Sequence, residues 1–141
     1  MADTLGPGSY NSSQLAIDLM ILEMNDIELQ RLQNSTTEQL LHKHASFDIA
    51  ELQAQYDPEI KLIRNEMRSS DDKTSGEYFA LMTELEELED ERDRKITDIE
   101  NQDNDREKLF EQQDTMLETQ YNAVKADKEG LEDAQKSDIE R

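Results

Sequence analysis

The chain has 141 residues, a formal net charge of −20 and no cysteine. The missing cysteines exclude disulfides, thiol catalysis and cysteine-based metal sites. A field this acidic repels nucleic-acid phosphates, so we expect no direct binding of DNA or RNA. Only 34% of the residues are hydrophobic and there is no Trp. Because good helix formers dominate the rest, the composition predicts extended helices and not a thick globular core.

The first 12 residues are predicted to form a flexible lead. Gly6-Pro7-Gly8 and the serines and asparagine around it suit turns and helix caps. This segment has neither the basic start nor the apolar core of a cleaved secretory signal, and no later apolar run is long enough to span a bilayer. We therefore expect no membrane insertion. The chain is expected either in the cytoplasm or in an exported or virion-associated position reached without a cleaved signal.

A helix is predicted over 13–33, and it is apolar around much of its circumference. One stripe at helical spacing contains Leu15, Leu19, Leu22, Leu29 and Leu32, and a second contains Ile17, Met20, Ile21, Met24 and Ile27. A helix with two apolar faces is normally buried on two sides. The chain has few other apolar residues to cover both faces, so a contact between subunits is favoured over a central place in a small intrachain bundle. The predicted assembly interface consists of Leu15, Ile17, Leu19, Met20, Ile21, Leu22, Met24 and Ile27.

Two further helices are predicted over 36–56 and 58–69. Ser35 and Glu38 have the spacing of a capping box, and Asp57-Pro58 suits the cap and first position of a helix. The turn before the second helix is short, so the first two helices should fold back on each other or kink. Residues 13–70 are therefore predicted to form an N-terminal helical packing module, which ends at a polar loop over 71–76.

A long acidic helical rod is predicted over 77–141, with Thr74 and Glu77 at capping-box spacing before it. Its seam consists of Leu81, Leu85, Leu88, Ile96, Ile99, Phe110, Leu117, Tyr121 and Val124. Between 101 and 108 the seam has no apolar residue. This stretch could be a hinge, a reversal or a stretch held by polar contacts, and a continuous helix is favoured because no Gly or Pro interrupts it. The predicted fold is thus all-α: an N-terminal hairpin or bundle module followed by an extended, coiled-coil-like helix.

Residues with catalytic or metal-binding chemistry are few. His42 and His44 lie two positions apart, so they point to different sides of a helix and do not chelate one metal together. The acidic run from Asp98 to Asp105 lacks the glycine of a calcium loop, and Leu109 replaces its final glutamate. We therefore expect no enzyme activity, no catalytic or metal-ligating residues and no cofactor.

The leading hypothesis for function is a structural subunit of a homo-oligomeric helical assembly, such as a filament, a stalk or a virion-type layer. Burial of apolar helix faces would drive assembly and like-charge repulsion would oppose it, so assembly should strengthen with salt. The alternative is an acidic adaptor or chaperone that holds a basic or amphipathic partner. Its affinity should fall as salt rises, so the two hypotheses differ in the sign of the salt effect.

Overall fold

The computed structural model describes residues 7–140. Two α-helices account for nearly all of them: α1, Pro7–Arg68, and α2, Gly76–Glu140. Over the range from 7 to 140 there is no strand. The predicted all-α class is confirmed, and the two helices pack together. Residues 7–12, which were predicted to belong to a flexible lead, are helical, whereas residues 1–6 of that lead lie outside the described range.

The division of residues 13–69 into three helices is wrong, because α1 runs through both predicted breaks. Asn34 and Glu38, near the predicted turn, are half-buried on the same side of α1 as the apolar stripe. Continuing the helix keeps that stripe in contact with α2, and tertiary packing of this kind overrides local capping preferences. The hairpin predicted within residues 13–56 does not form, and α1 pairs instead with α2.

Pro58 lies inside α1, where it cannot donate the usual backbone hydrogen bond. Its own side chain is exposed, but Tyr56 and Ile60 on either side of it are buried, and Ile63 is buried one turn further on. Asp57, beside the proline, accepts a hydrogen bond from Arg92 on α2 at 3.0 Å. Contacts with α2 on both sides thus hold the helix together where its own backbone bonding is weakened.

The connection between the helices covers residues 69–75, close to the predicted loop at 71–76. The side chain of Asp72 accepts bonds from the backbone N–H and the hydroxyl of Thr74 at 2.9 and 2.6 Å, and this lowers the pKa of Asp72. Ser75 caps α2, since its Oγ accepts a bond from the backbone N–H of Tyr78 at 3.1 Å. The predicted cap, Thr74, is used instead to close the loop.

Two compact units divide the chain, and both helices contribute to each. The central unit is Glu38–Lys108, a complete helical hairpin with its loop. Its helices are antiparallel, as shown by contacts of Arg64 with Glu89 and of His42 with Asp103. Its buried apolar residues are Ala45, Tyr56, Ile60 and Ile63.

The terminal unit combines Met1–Thr37 with Leu109–Arg141. The helical segments in it are also antiparallel, since Arg31 bonds to Asp114 while Glu28, earlier in α1, raises the pKa of Tyr121, later in α2. Its buried apolar residues all come from α1: Ile17, Met24 and Ile27. From α2 it buries Gln135, whose Nε2 has no hydrogen-bond partner among the described residues.

Replacement of the most deeply buried side chain should strongly destabilise the hairpin of the central unit. Ile60 is 2% exposed, whereas Leu62, two positions away, is 59% exposed. We expect Ile60→Ala to lower the free energy of unfolding by about 3 kcal/mol and Leu62→Ala by less than about 0.5 kcal/mol. Urea unfolding followed by far-UV circular dichroism measures both. Equal losses in the two variants would contradict the burial of Ile60.

Replacement of Pro58 should stabilise the protein. Alanine restores the missing backbone donor inside α1, although it also makes the unfolded chain more flexible. We expect Pro58→Ala to raise the free energy of unfolding by about 2 kcal/mol. The same urea titration measures the change. A loss of stability would show that α1 needs a local distortion at this position.

Candidate functional site

The eight residues of the predicted assembly interface lie in the terminal unit, on different sides of α1. Ile17, Met24 and Ile27 are buried, and Met20 is half-buried. Ile21 is exposed, at 40%. Leu15, Leu19 and Leu22 are exposed. The structure therefore assigns one apolar stripe to packing within the chain and leaves the other in solvent.

The exposed leucines form what we call the outer stripe: Leu15, Leu19, Leu22, Leu29 and Leu32. Their exposed fractions range from 51% to 64%. Leu15, Leu22 and Leu29 are seven residues apart, so they share one angular position on α1. That position is opposite the stripe of Ile17, Met20, Met24 and Ile27. In a packed helix the opposite face is normally polar, so three leucines there are unusual.

The charged residues of α1 around the outer stripe are all negative as far as residue 30. Residues 11–30 contain four acidic residues, Asp18, Glu23, Asp26 and Glu28, and no Lys or Arg. The next base along α1 is Arg31, and its guanidinium is held by Asp114. The outer stripe thus combines exposed apolar area with an acidic border.

The predicted seam of α2 lies on one side of that helix. Its nine residues are all half-buried: Leu81, Leu85, Leu88, Ile96 and Ile99 in the central unit, and Phe110, Leu117, Tyr121 and Val124 in the terminal unit. Half-buried polar residues occupy the positions between them, including Arg92, Asp103 and Asp114. With these included, the less exposed positions of α2 follow one another at intervals of three or four, apart from Glu89, which directly follows Leu88.

In the terminal unit, Arg31 and Asp114 form a bidentate ion pair. Arg31 Nε donates to Asp114 Oδ1 at 2.7 Å and Nη2 donates to Oδ2 at 3.0 Å. Glu118 lies 3.9 Å from the same guanidinium. The hydrogen bond from Arg31 lowers the pKa of Asp114. This geometry fixes the position of α1 relative to α2 more strictly than apolar contacts do.

In the central unit, the apolar gap over 101–108 is filled by charged side chains. α2 is continuous there, and Asp103 Oδ2 lies 2.6 Å from His42 Nδ1 and its Oδ1 lies 3.7 Å from Arg106 Nη2. Asp103 is 16% exposed, while His42 is 69% exposed. A shallow groove lies beside this cluster, lined partly by Ser46 and Glu100. Of the alternatives for 101–108, the observed one is a helix held by polar contacts.

A second polar cluster in the central unit is centred on the hydroxyl of Tyr56. This hydroxyl donates to Glu91 Oε1 at 2.9 Å and accepts from Lys95 Nζ at 2.6 Å. These bonds lower the pKa of Glu91, through Tyr56 first and Lys95 second, and they raise the pKa of Lys95. The ammonium group of Lys95 also lies 5.1 Å from the centre of the Tyr56 ring. The cluster satisfies the polar end of a buried aromatic side chain, so its role is explained by packing.

The described part of the chain contains neither a metal centre nor a membrane-spanning helix. No group of three or more His, Asp or Glu side chains there is placed to hold a metal ion. Neither α1 nor α2, as far as described, has a stretch apolar and long enough to cross a bilayer. Comparisons with protein-family models, with curated proteins and with solved structures found no match.

Sequence reasoning missed the charged members of the helix contact. Arg31, Asp103, Arg106 and Asp114 are all half-buried, and none of them was predicted to lie between the helices. A signal was available, since Asp103 and Arg106 continue the three-and-four spacing from Ile99. The outer stripe, by contrast, was identified from its spacing, but the sequence did not show which of the two apolar stripes faces α2.

Acid should weaken the terminal unit through Asp114. The native pKa of Asp114 is lowered, so its stabilising effect is complete above the unfolded pKa of about 4 and is lost as the pH falls through the lower native pKa. Arg31→Gln removes the cause of the shift. We expect the wild type to lose more unfolding free energy than this variant between about pH 6 and about pH 3. Urea titrations at both pH values measure the losses, and identical losses would contradict the ion pair.

Proposed function

We propose that the chain is a non-enzymatic structural subunit of a homo-oligomeric helical assembly, in which the outer stripe of α1 packs against a second copy. The observation that supports this most directly is the exposure of Leu15, Leu22 and Leu29 on the side of α1 that faces away from α2. Contiguous exposed apolar area of this kind is typical of protein interaction sites. A filament, a stalk or a virion-type layer is the class of assembly we propose.

Burial of the outer stripe would provide the free energy of association. Each exposed leucine that becomes covered contributes about 1–2 kcal/mol at roughly 25 cal/mol per Å² of apolar area. The stripe contains five leucines, so the gross gain is several kcal/mol per contact, before the entropic cost of association is subtracted. Repulsion between chains of net charge −20 opposes this gain. Salt screens the repulsion, so assembly should strengthen with ionic strength.

The coiled-coil-like, extended character of α2 is a further part of this proposal. Its support is the run of three- and four-residue intervals between the less exposed positions, from Leu81 to Val124. A helix of this kind would give the subunit length and a polar surface. Its acidic exterior would keep the assembly soluble and limit unwanted lateral contacts.

A second candidate function is that of an acidic adaptor for a basic amphipathic helix. The specific observation in its favour is the border of the outer stripe, where residues 11–30 carry four acids and no Lys or Arg. A partner with leucines flanked by lysines or arginines would complement both the apolar area and the charge. Salt would weaken this complex, which is the opposite of its effect on self-assembly.

A charge placed in the outer stripe should prevent assembly without unfolding the chain. Leu22 is 64% exposed, so Leu22→Asp loses little intrachain burial but puts a carboxylate into the proposed contact. We expect the dissociation constant for self-association to rise about tenfold or more. Light scattering coupled to size-exclusion chromatography, at several protein concentrations and in low and moderate salt, measures the mass.

The matched control is Leu62→Asp, which adds the same charge at a similarly exposed leucine of the central unit. This variant should assemble like the wild type. A wild-type chain that stays monomeric in both salts, or that loses mass as salt increases, would overturn the proposal of salt-strengthened self-assembly. Binding of a lysine-rich amphipathic peptide that weakens with salt would then support the adaptor function.

A further inference from the structure

A second exposed apolar surface lies on the α1 segment of the central unit. Leu40 is 61% exposed and Phe47 is 69% exposed. Lys43 lies between them, and Ala50 and Ala54 continue the same spacing, all three with exposed side chains. We call these five positions, 40, 43, 47, 50 and 54, the second stripe. Successive positions of the second stripe are three, four, three and four residues apart. Its single charged residue, Lys43, is positive.

The outer stripe of the terminal unit has a matching pattern with the opposite charge. Four of its leucines fall on a track at 15, 19, 22 and 29, and the position that completes the track is Asp26. The side chain of Asp26 is exposed, like those of the leucines around it. This track has intervals of four, three, four and three, and its one charge is negative.

We propose that the track at 15, 19, 22, 26 and 29, which contains four leucines of the outer stripe, packs antiparallel against the second stripe of another copy. This rests on the proposed function, since it names the surface of the second copy that covers the outer stripe. In this register, four layers each pair two apolar residues, and the fifth pairs an acid with a base. The layers are Leu15 with Ala54, Leu19 with Ala50, Leu22 with Phe47, Asp26 with Lys43, and Leu29 with Leu40.

Shifted antiparallel registers lose this match. A shift of seven residues in one direction places Lys43 against Leu19, and a shift in the other direction places it against Gln33. In both cases Asp26 also loses its basic partner. The first shift thus covers Lys43 with a leucine, and the second covers Asp26 with Ala50, and a covered charge without a partner costs free energy. The pairing of Asp26 with Lys43 therefore selects one register out of the three.

Parallel pairing is also excluded by position. Parallel helices with a seven-residue repeat bring the same repeat position together, whereas antiparallel helices bring different positions together. Asp26 and Lys43 are 17 residues apart, which is not a multiple of seven, so a parallel contact cannot place them opposite each other. It would place Lys43 against Leu15, Leu22 or Leu29. The charges and the spacing thus point to the antiparallel orientation.

Cysteine cross-linking tests the register, and the chain has no cysteine of its own to interfere. Asp26→Cys and Lys43→Cys are made as separate variants, mixed, and oxidised with copper phenanthroline. We expect a disulfide-linked heterodimer in several-fold higher yield than either homodimer. The matched control mixes Asp26→Cys with Lys61→Cys, whose position on α1 is also exposed. This mixture should give little heterodimer.

Charge reversal provides a second readout that does not depend on oxidation. Asp26→Lys and Lys43→Asp should each raise the dissociation constant measured by light scattering, by about three- to tenfold, and the double variant should recover most of the loss. If the wild type assembles but cross-links equally in both mixtures and the double variant shows no recovery, the register is wrong and the proposed function survives. A wild type that stays monomeric overturns both.

Discussion

Two helices that pack together can cover only one stripe of each, and this constraint shapes the whole molecule. α2 is consistent with this constraint, because its apolar residues and some charged ones form a single seam and its exterior is acidic. α1 does not meet it in the terminal unit, because Ile17, Met24 and Ile27 face α2 while Leu15, Leu22 and Leu29 remain exposed. The functional proposals for this chain follow from these exposed leucines of the outer stripe.

Charged pairs give the contact between the helices its register. In the terminal unit, Arg31 donates two hydrogen bonds to Asp114. In the central unit, the ring of His42 is within hydrogen-bond distance of Asp103. Leucine contacts alone tolerate slippage, since one leucine layer resembles the next. A mismatched charge between helices costs more than a mismatched leucine, so a few charged layers exclude many wrong alignments. The inferred pairing of Asp26 with Lys43 uses the same principle between copies.

The sequence predicted the helical class because helix propensity and hydrophobic spacing are local properties. The prediction of helix ends was wrong at 34–37 and at Pro58. Capping residues and a proline indicate helix ends there when only the local sequence is considered. There the outcome depends on burial of Tyr56 and Ile60 against a helix that is distant in sequence. Asp103 and Asp114 were missed because acidic residues are normally assigned to solvent, even where they continue the spacing of the apolar seam. Which apolar stripe faces α2 was equally undetermined, since both stripes have helical periodicity.

The charged stretch of α2 in the central unit also has a consequence for local motion. Residues 101–108 contain no apolar side chain, and Asp103 and Arg106 contribute polar contacts in place of a hydrophobic layer. The Nε of Arg106 is buried there with no hydrogen-bond partner among the described residues. Segments with little apolar burial open more readily than the rest of a helix. Backbone amides in this stretch should therefore exchange with deuterium sooner than those around Ile60, although both lie within long, continuous helices.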